Sequence, residues 1–165
     1  MNNLALLAHN LSQMKKLNAL AQKGQINENA GIRDSHSAII NADIEKVWDI
    51  LVDMENWPKW NPEVKKVTLF GELAEGAKFQ WVQGRTHGNS EIQHVKKPTS
   101  LAWTSKAKLV KRIYVWTLES DENQTIATIS ASFQGTFVVL VENHQKVYNE
   151  LLNWLELLKQ EAEEK

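Results

Sequence analysis

Few side chains in this sequence can move a proton or hold a metal. Its histidines are His9, His36, His87, His94 and His144. No two of them stand on successive helical turns beside an acid, and the absence of cysteine removes thiolate zinc ligands, disulfides and a thiol nucleophile together. The pattern predicts no metal and no cofactor. His94 and His144 remain as general acid/base candidates, a use that needs an enclosed pocket, whereas a lone histidine on an apolar face is more often a hydrogen-bonded core residue. Arg112 shares strand parity with Tyr114 and Trp116, so its guanidinium can reach the same face and hold a carboxylate or enolate oxygen. The neighbouring Lys106, Lys108 and Lys111 favour the alternative, a solvated basic hairpin. No Gly-x-Ser-x-Gly elbow, phosphate-binding loop or dinucleotide fingerprint is present, so hydrolase, NTPase and oxidoreductase readings have no residue to stand on.

The other chemical resource is aromatic surface. Seven tryptophans, four phenylalanines and two tyrosines are a large stock of flat apolar area for 165 residues, enough for a heavy core or the walls of a pocket. Two of the tryptophans fall in Asp53-Met54-Glu55-Asn56-Trp57-Pro58-Lys59-Trp60-Asn61-Pro62, directly after the apolar run Val47 to Val52. A surface linker has no use for two indoles, so this stretch is expected to pack into the body of the domain, its prolines fixing backbone angles.

The elements that must position these residues are legible as periodicities. Residues 2–22 lack Gly and Pro and read as a helix with Leu4, Leu7, Leu11 and Met14 on one side and Leu6, Leu17 and Leu20 on the other. Packing on its own domain is the plain reading of two apolar faces; a homodimer contact and weak membrane-surface contact are the alternatives. Residues 23–35 read as a linker. A short strand over 36–41 leads into a helix with Ile44, Val47, Trp48 and Leu51 on one face, which stops before Trp57-Pro58. Strands follow over 63–71, 77–84, 90–97, 100–106, 110–119 and 124–135, regularly spaced as in an antiparallel meander. The parity of these strands puts Phe79, Trp81, Trp103, Tyr114 and Trp116 on one face and pairs Ile92 with His94. Residues 136–163, again without Gly or Pro, carry a stripe of Phe137, Val141, His144, Tyr148, Leu151 and Leu155, with Lys146, Asn149, Glu150 and Asn153 opposite.

Composition sets the class. The chain suits one domain, read as an N-terminal helix and linker over 1–34 and a main body over 35–165. A net charge of -1 leaves no electrostatic footprint for nucleic acid. No apolar run approaches the ~18 residues of a spanning helix, and Leu4 to Ala8 is too short for a signal h-region, so a cytoplasmic location is expected.

Strand, helix, Trp-Pro loop, six-strand meander and long C-terminal helix in this order resemble the START-like superfamily of helix-grip proteins, most closely its polyketide cyclase/dehydrase and lipid-transport branch. The residues that carry the resemblance are Ile40 to Trp48, the Trp-Pro-x-Trp-Asn-Pro core of 57–62, Trp116-Thr117-Leu118-Glu119 before the last hairpin, and Phe133-Gln134-Gly135 before the last helix. It runs from about Ser35 to Leu158 and leaves the N-terminal helix unexplained. Asp43 stands where the family often has Pro, and Gln124 where it often has Gly; neither change opposes the fold. The resemblance implies an α+β fold, a curved antiparallel sheet of six to seven strands wrapped around the C-terminal helix, with two short helices after the first strand.

A cavity between sheet and helix is implied with it, and His144 and Tyr148 would present polar tips there. The leading expectation is therefore a protein that binds a small hydrophobic ligand, aromatic or lipid-like, among Trp60, Phe79, Trp81, His94, Trp103, Arg112, Tyr114, Trp116, His144 and Tyr148. The alternatives are a cyclase/dehydratase-type enzyme using His94, His144 or Tyr148 for proton transfer, and an interaction protein that dimerises through residues 2–22.

Overall fold

The computed structural model describes the chain from Asn2 to Glu164, apart from Phe137 and the side chains of Leu140 and Val141. Helix α1 (Asn3–Gln22) precedes strand β1 (Ile32–Ile40), which leads into α2 (Ile44–Val52), a 3-10 turn over Met54–Asn56 and the single turn α3 (Trp57–Trp60). Six strands follow: β2 (Val64–Phe70), β3 (Lys78–Gln83), β4 (Thr86–Lys96), β5 (Ser100–Ala107), β6 (Val110–Asp121) and β7 (Gln124–Gln134). Two helices end the chain, α4 (Val138–Val141) and α5 (His144–Glu163).

Hairpins link β2 through β7 in order, and β1 closes the far side by pairing with β7, giving one antiparallel sheet in the order β1-β7-β6-β5-β4-β3-β2. It has seven strands, the upper of the two numbers expected, and its inner face wraps α5. β1 begins at Ile32 rather than 36, because Ile32 pairs with Phe133 and is buried against it. Two ladder shifts bend the sheet, one between Val64 and Lys66 on edge strand β2 and one between Ile92 and His94 on β4.

The Trp-Pro segment sits in the core, as its composition requires. Asp43 caps α2 by accepting from the Lys46 amide at 2.9 Å, and Val47, Trp48 and Leu51 on the buried face of α2 join the main core. Pro58 occupies the first turn of α3, where its missing N–H costs nothing. Asn61, fully buried, accepts from the Glu63 amide at 3.2 Å and turns the chain into β2. The indole of Trp57 donates to the Leu51 carbonyl at 3.0 Å and meets Trp154 of α5 edge-on at 5.0 Å. Trp60 meets the same ring at 5.5 Å.

The C-terminal helix is not continuous from 136. It breaks at Glu142-Asn143, where Asn143 caps α5 by accepting from the Lys146 amide at 2.9 Å. The buried stripe is Val147, Leu151, Trp154, Leu155, Leu158 and Ala162, so the expected stripe is correct at Leu151 and Leu155 but not at its start. His144 is exposed, and Tyr148, 42% exposed, stands edge-on to His36 of β1. The expectation that these two reach the cavity is thereby corrected. Phe137 and the Val141 side chain lie outside the described residues.

Helix α1 lies on the outer face of the sheet across β4, β5 and β6. Leu17 and Ala21 pack on Ala102, Ile113 and Val115 to form a second, smaller core. Polar contacts fix its direction. Asn18 accepts from the Thr104 hydroxyl at 2.9 Å, and Asn10 and Gln13 accept from the Lys111 ammonium at 3.0 and 2.7 Å. Burial holds the Lys111 pKa below its usual range, with Lys106 nearby adding to the effect.

Because Trp57 and Trp154 are buried in mutual contact, replacing either by Ala is expected to cost about 3 to 5 kcal/mol of unfolding free energy in urea titrations. A cost below about 1 kcal/mol would place that ring outside the core.

Candidate functional site

The inner face of the sheet carries the aromatics whose parity predicted it. Opposed residues share a face, and the pairs Trp103 with Tyr114 and Phe79 with Ser90 place these side chains against α5. Trp103 and Tyr114 stack with centroids at 5.4 Å, and Trp116 meets Trp154 at 6.5 Å. Trp81 lies flat over Gly88, where an added Cβ would fall 2.0 Å from the ring, so only glycine allows this approach. Its indole N–H donates to the hydroxyls of Ser90 at 3.0 Å and Ser105 at 3.1 Å.

These rings leave little room among themselves. The space between Trp57, Phe79, Trp103, Trp116 and Trp154 is about 30 Å³, the volume of one or two waters. It opens onto a larger cavity of about 410 Å³ at the end of the sheet, between the β3–β4 hairpin and the start of α5. Trp81, Gln83, Tyr114 and Glu150 line both, so the two form a polar mouth over a narrow aromatic throat.

The mouth is built on a buried ion pair. Arg112, 4% exposed, donates to Glu142 at 3.1 Å and to the carbonyls of Ala107 and Val110 at 3.3 and 3.4 Å. Its guanidinium lies 5.0 Å from the Phe133 ring centre, a favourable cation–π distance. Lys146 approaches the second Glu142 oxygen at 2.9 Å. Deeper in, the Tyr114 hydroxyl donates to Glu150 at 3.0 Å. Burial, then the facing Glu150 carboxylate, push the Tyr114 pKa well above its usual range. Burial also raises the Glu150 pKa, against the opposing pull of the Tyr114 hydrogen bond and Arg112.

One polar atom in the throat has no partner among the described residues. The indole N–H of Trp116 is buried, finds no acceptor there, and belongs to a side chain on the throat wall.

Of the residues expected at the site, Phe79, Trp81, Trp103, Arg112, Tyr114 and Trp116 line the mouth or throat. Trp60 is buried behind Trp154 and borders neither. His94 is turned away. The bulge after Ile92 sets it opposite Ala102, whose side chain packs on α1, and its ring lies 3.8 Å from Glu75. Strict alternation through β4 had paired it with Ile92. Glu142, Lys146, Glu150 and Trp154 line the mouth or throat and were missed by periodicity, because a helix drawn unbroken from 136 puts Lys146 and Glu150 on its solvent side. The signal available was Glu142-Asn143-His144, an N-cap residue following an apolar turn. Among the described residues no cluster of His, Asp or Glu suits a metal ion, and no helix is long and apolar enough to cross a membrane.

The Glu150 carboxyl keeps its proton to higher pH in the folded chain than in the unfolded one. Its contribution to stability is therefore full below the unfolded pKa and is lost as pH rises through the folded value. As pH rises from about 4.3, the unfolded glutamate value, toward the higher folded one, Glu150→Gln is expected to gain stability relative to the parent, read from paired denaturation curves. A pH-independent difference between the two would show that Glu150 titrates normally. Gly88→Ala is expected to cost about 1 to 3 kcal/mol by displacing Trp81, visible as a red-shifted emission together with the stability loss.

The family described as polyketide cyclase / dehydrase and lipid transport matches residues 32–156. No curated protein matches the chain in sequence. Among solved structures, a hypothetical protein from Helicobacter pylori superposes with a TM-score of 0.73 at 18% identity, covering 85% of this chain and 93% of its own. A START superfamily protein from Mycobacterium smegmatis gives a TM-score of 0.69 at 14% identity, covering 79% and 97%. An aromatase/cyclase from Streptomyces gives 0.69 at 17% identity, covering 79% and 93%. At these identities the structural likeness speaks for the fold, and the family match supplies the rest: the chain belongs to the polyketide cyclase/dehydrase and lipid-transport family of START-like helix-grip proteins.

Proposed function

We propose that this chain binds a small hydrophobic molecule, aromatic or lipid-like, with its polar end in the mouth and its apolar body directed into the throat. The observation that carries this reading is the Trp116 indole N–H, buried without an acceptor on the throat wall. Leaving such a donor unsatisfied costs about 1 to 3 kcal/mol, and a ligand oxygen brought to it removes that cost. The mouth above it, about 410 Å³, falls within the size range of small-molecule sites. Its buried arginine and two carboxyl groups supply both donors and acceptors for a polar head. Entry into the 30 Å³ throat requires the Trp57 and Trp103 rings to move apart, so binding is coupled to a rearrangement of the core.

A second reading, proton transfer of the cyclase/dehydratase type, is favoured by one pair. The Tyr114 hydroxyl and the Glu150 carboxyl, 3.0 Å apart, line the mouth with both pKa values raised by burial. A carboxyl whose proton is held by burial, beside a hydroxyl in a pocket, is suited to proton exchange. His94, His144 and Tyr148, turned away or exposed, have no geometric part in it.

Titration with 2-naphthoic acid and, separately, oleic acid tests the binding reading through tryptophan emission. Saturable quenching by one of them is expected, with affinity about fivefold to tenfold weaker in Trp116→Phe, which keeps an aromatic though smaller ring and removes the donor. No saturable change with either probe, together with no compound retained in native mass spectrometry of the purified chain, would overturn it.

A further inference from the structure

We propose that the mouth end of the fold is a docking surface for an anionic lipid bilayer, formed by the N-terminal turns of α1 and the tip of the β5–β6 hairpin. This goes beyond the pocket reading and does not depend on what the pocket holds.

The placement follows from the topology. Lys111 bonds Asn10, so α1 reaches the hairpin end of the sheet at its third turn. The seven residues before Asn10 extend about 10 Å further, while the hairpin tip lies about 7 Å beyond Lys111, which brings both to one level. Leu4, Leu7 and Leu11 form one stripe there and are 76%, 56% and 58% exposed. Leu109 at the tip is 76% exposed, and Val139, in the helix that follows the last strand at the same end, is 70% exposed. Five large apolar side chains are thus exposed toward one end of the chain, an arrangement that calls for a partner.

The tip itself is a costly construction. Lys108 and Leu109 form a two-residue turn with φ of 47° and 64°, the left-handed region where Asn and Gly are the usual residues. A leucine held there in solvent pays in backbone strain without any packing in return. Arg112, which donates to the carbonyls of Ala107 and Val110, fixes the turn to the wall of the mouth.

Charge identifies the partner. No acid occurs before Glu28 or between Glu91 and Glu119, so both contributing segments are purely basic. Lys106, Lys108 and Arg85 are exposed at this end, and Lys65 and Lys66 start the neighbouring edge strand. Of the acids here, Glu142 is buried on Arg112 and Glu28 pairs with Arg33 at 3.3 Å, which leaves Glu63, bonded to the neutral Gln83 amide, and Glu150, bonded to Tyr114, against the larger number of basic side chains. Asp43, Asp53, Glu72, Glu122 and Glu164 crowd the opposite end, where Lys97 and Lys159 are paired with Glu45 and Glu163. A net charge of -1 thus conceals a strongly polarised molecule. A second copy joined by two-fold symmetry would set these lysines against their own counterparts, whereas anionic headgroups neutralise them while the leucines enter the acyl boundary.

Flotation of the full chain with phosphatidylcholine vesicles, with and without phosphatidylserine, tests the proposal. Binding is expected to the anionic vesicles, weakened by salt, and reduced about fivefold for each of Lys106→Ala and Lys108→Ala. Leu7→Glu should abolish it. Leu109→Gly should also lose binding while relieving the turn, so that loss cannot be ascribed to unfolding. No flotation with anionic vesicles, or flotation indifferent to these substitutions, overturns the proposal. So does a concentration-dependent dimer in sedimentation that Leu7→Glu dissolves. Probe titrations of the same variants by tryptophan emission are expected to match the parent, which separates failure of docking from failure of the pocket.

Discussion

Everything in this fold leans on the contact between Trp154 and the rings around it. A curved sheet and a helix laid in its hollow do not meet by shape alone, since the space between their backbones has to be filled by large side chains. Trp154 fills the gap from the helix side, Trp57 and Trp60 fill it from the α2–β2 connection, and Trp116 meets it from the sheet. Three separate pieces of chain are thus locked through one side chain, and edge-to-face geometry adds to the area they bury. The Trp-Pro segment is the strap that makes this possible. Its two prolines limit the backbone, its buried Asn61 satisfies the turn, and the indoles are delivered inward as a pair.

The same packing explains why the pocket is divided. Large rings at the closed end interdigitate until only about 30 Å³ is left, while toward the open end the side chains become charged and the space widens to about 410 Å³. Arg112 and Glu142 mark the transition. A buried ion pair is a poor source of stability because desolvation consumes most of the attraction. This one holds the hairpin, the end of α4 and the pocket wall in a fixed relation, which apolar residues of the same size would do with less directional control. Tyr114 and Glu150 continue the polar wall inward, so a ligand meets hydrogen-bonding groups before it meets the indoles.

How much was legible in the sequence depended on the range of the signal. Alternation in β3, β5 and β6 assigned Phe79, Trp81, Trp103, Tyr114 and Trp116 to one face correctly, because those strands run without interruption through the contacts that matter; Arg112 follows the same parity and is buried on Glu142, which corrects the solvated reading that its lysine neighbours favoured. It failed at His94, where one extra residue reverses the face and no residue type announces the bulge. Wheel arithmetic failed at the C-terminal helix for a related reason. A break of two residues at Glu142-Asn143 resets the phase, moving Glu150 and Trp154 inward and His144 and Tyr148 outward. Volume was beyond reach altogether, since whether rings fill a space or enclose one depends on angles that a one-dimensional pattern does not carry. The N-terminal helix was recognised as a helix with two apolar faces, and Leu17 with Ala21 found its seat on the sheet, but the charge surrounding its free end is visible only once the hairpins are brought together.

The ladder shift in β2 makes this rim of the sheet a poor template for another strand. An open sheet ends in two strands with unpaired backbone groups, and a second copy can extend it by adding its own strand there. On β2 the irregularity between Val64 and Lys66 interrupts the even spacing of those groups, and the exposed side chains of Lys65 and Lys66 set two positive charges beside the break. An approaching β2 from another molecule would have to match a kinked ladder while bringing the same two charges against them. The rim is thus kinked and charged at one end, and further along β2 the Leu69 amide already donates to Glu55 at 3.2 Å, which leaves little of it open as a template.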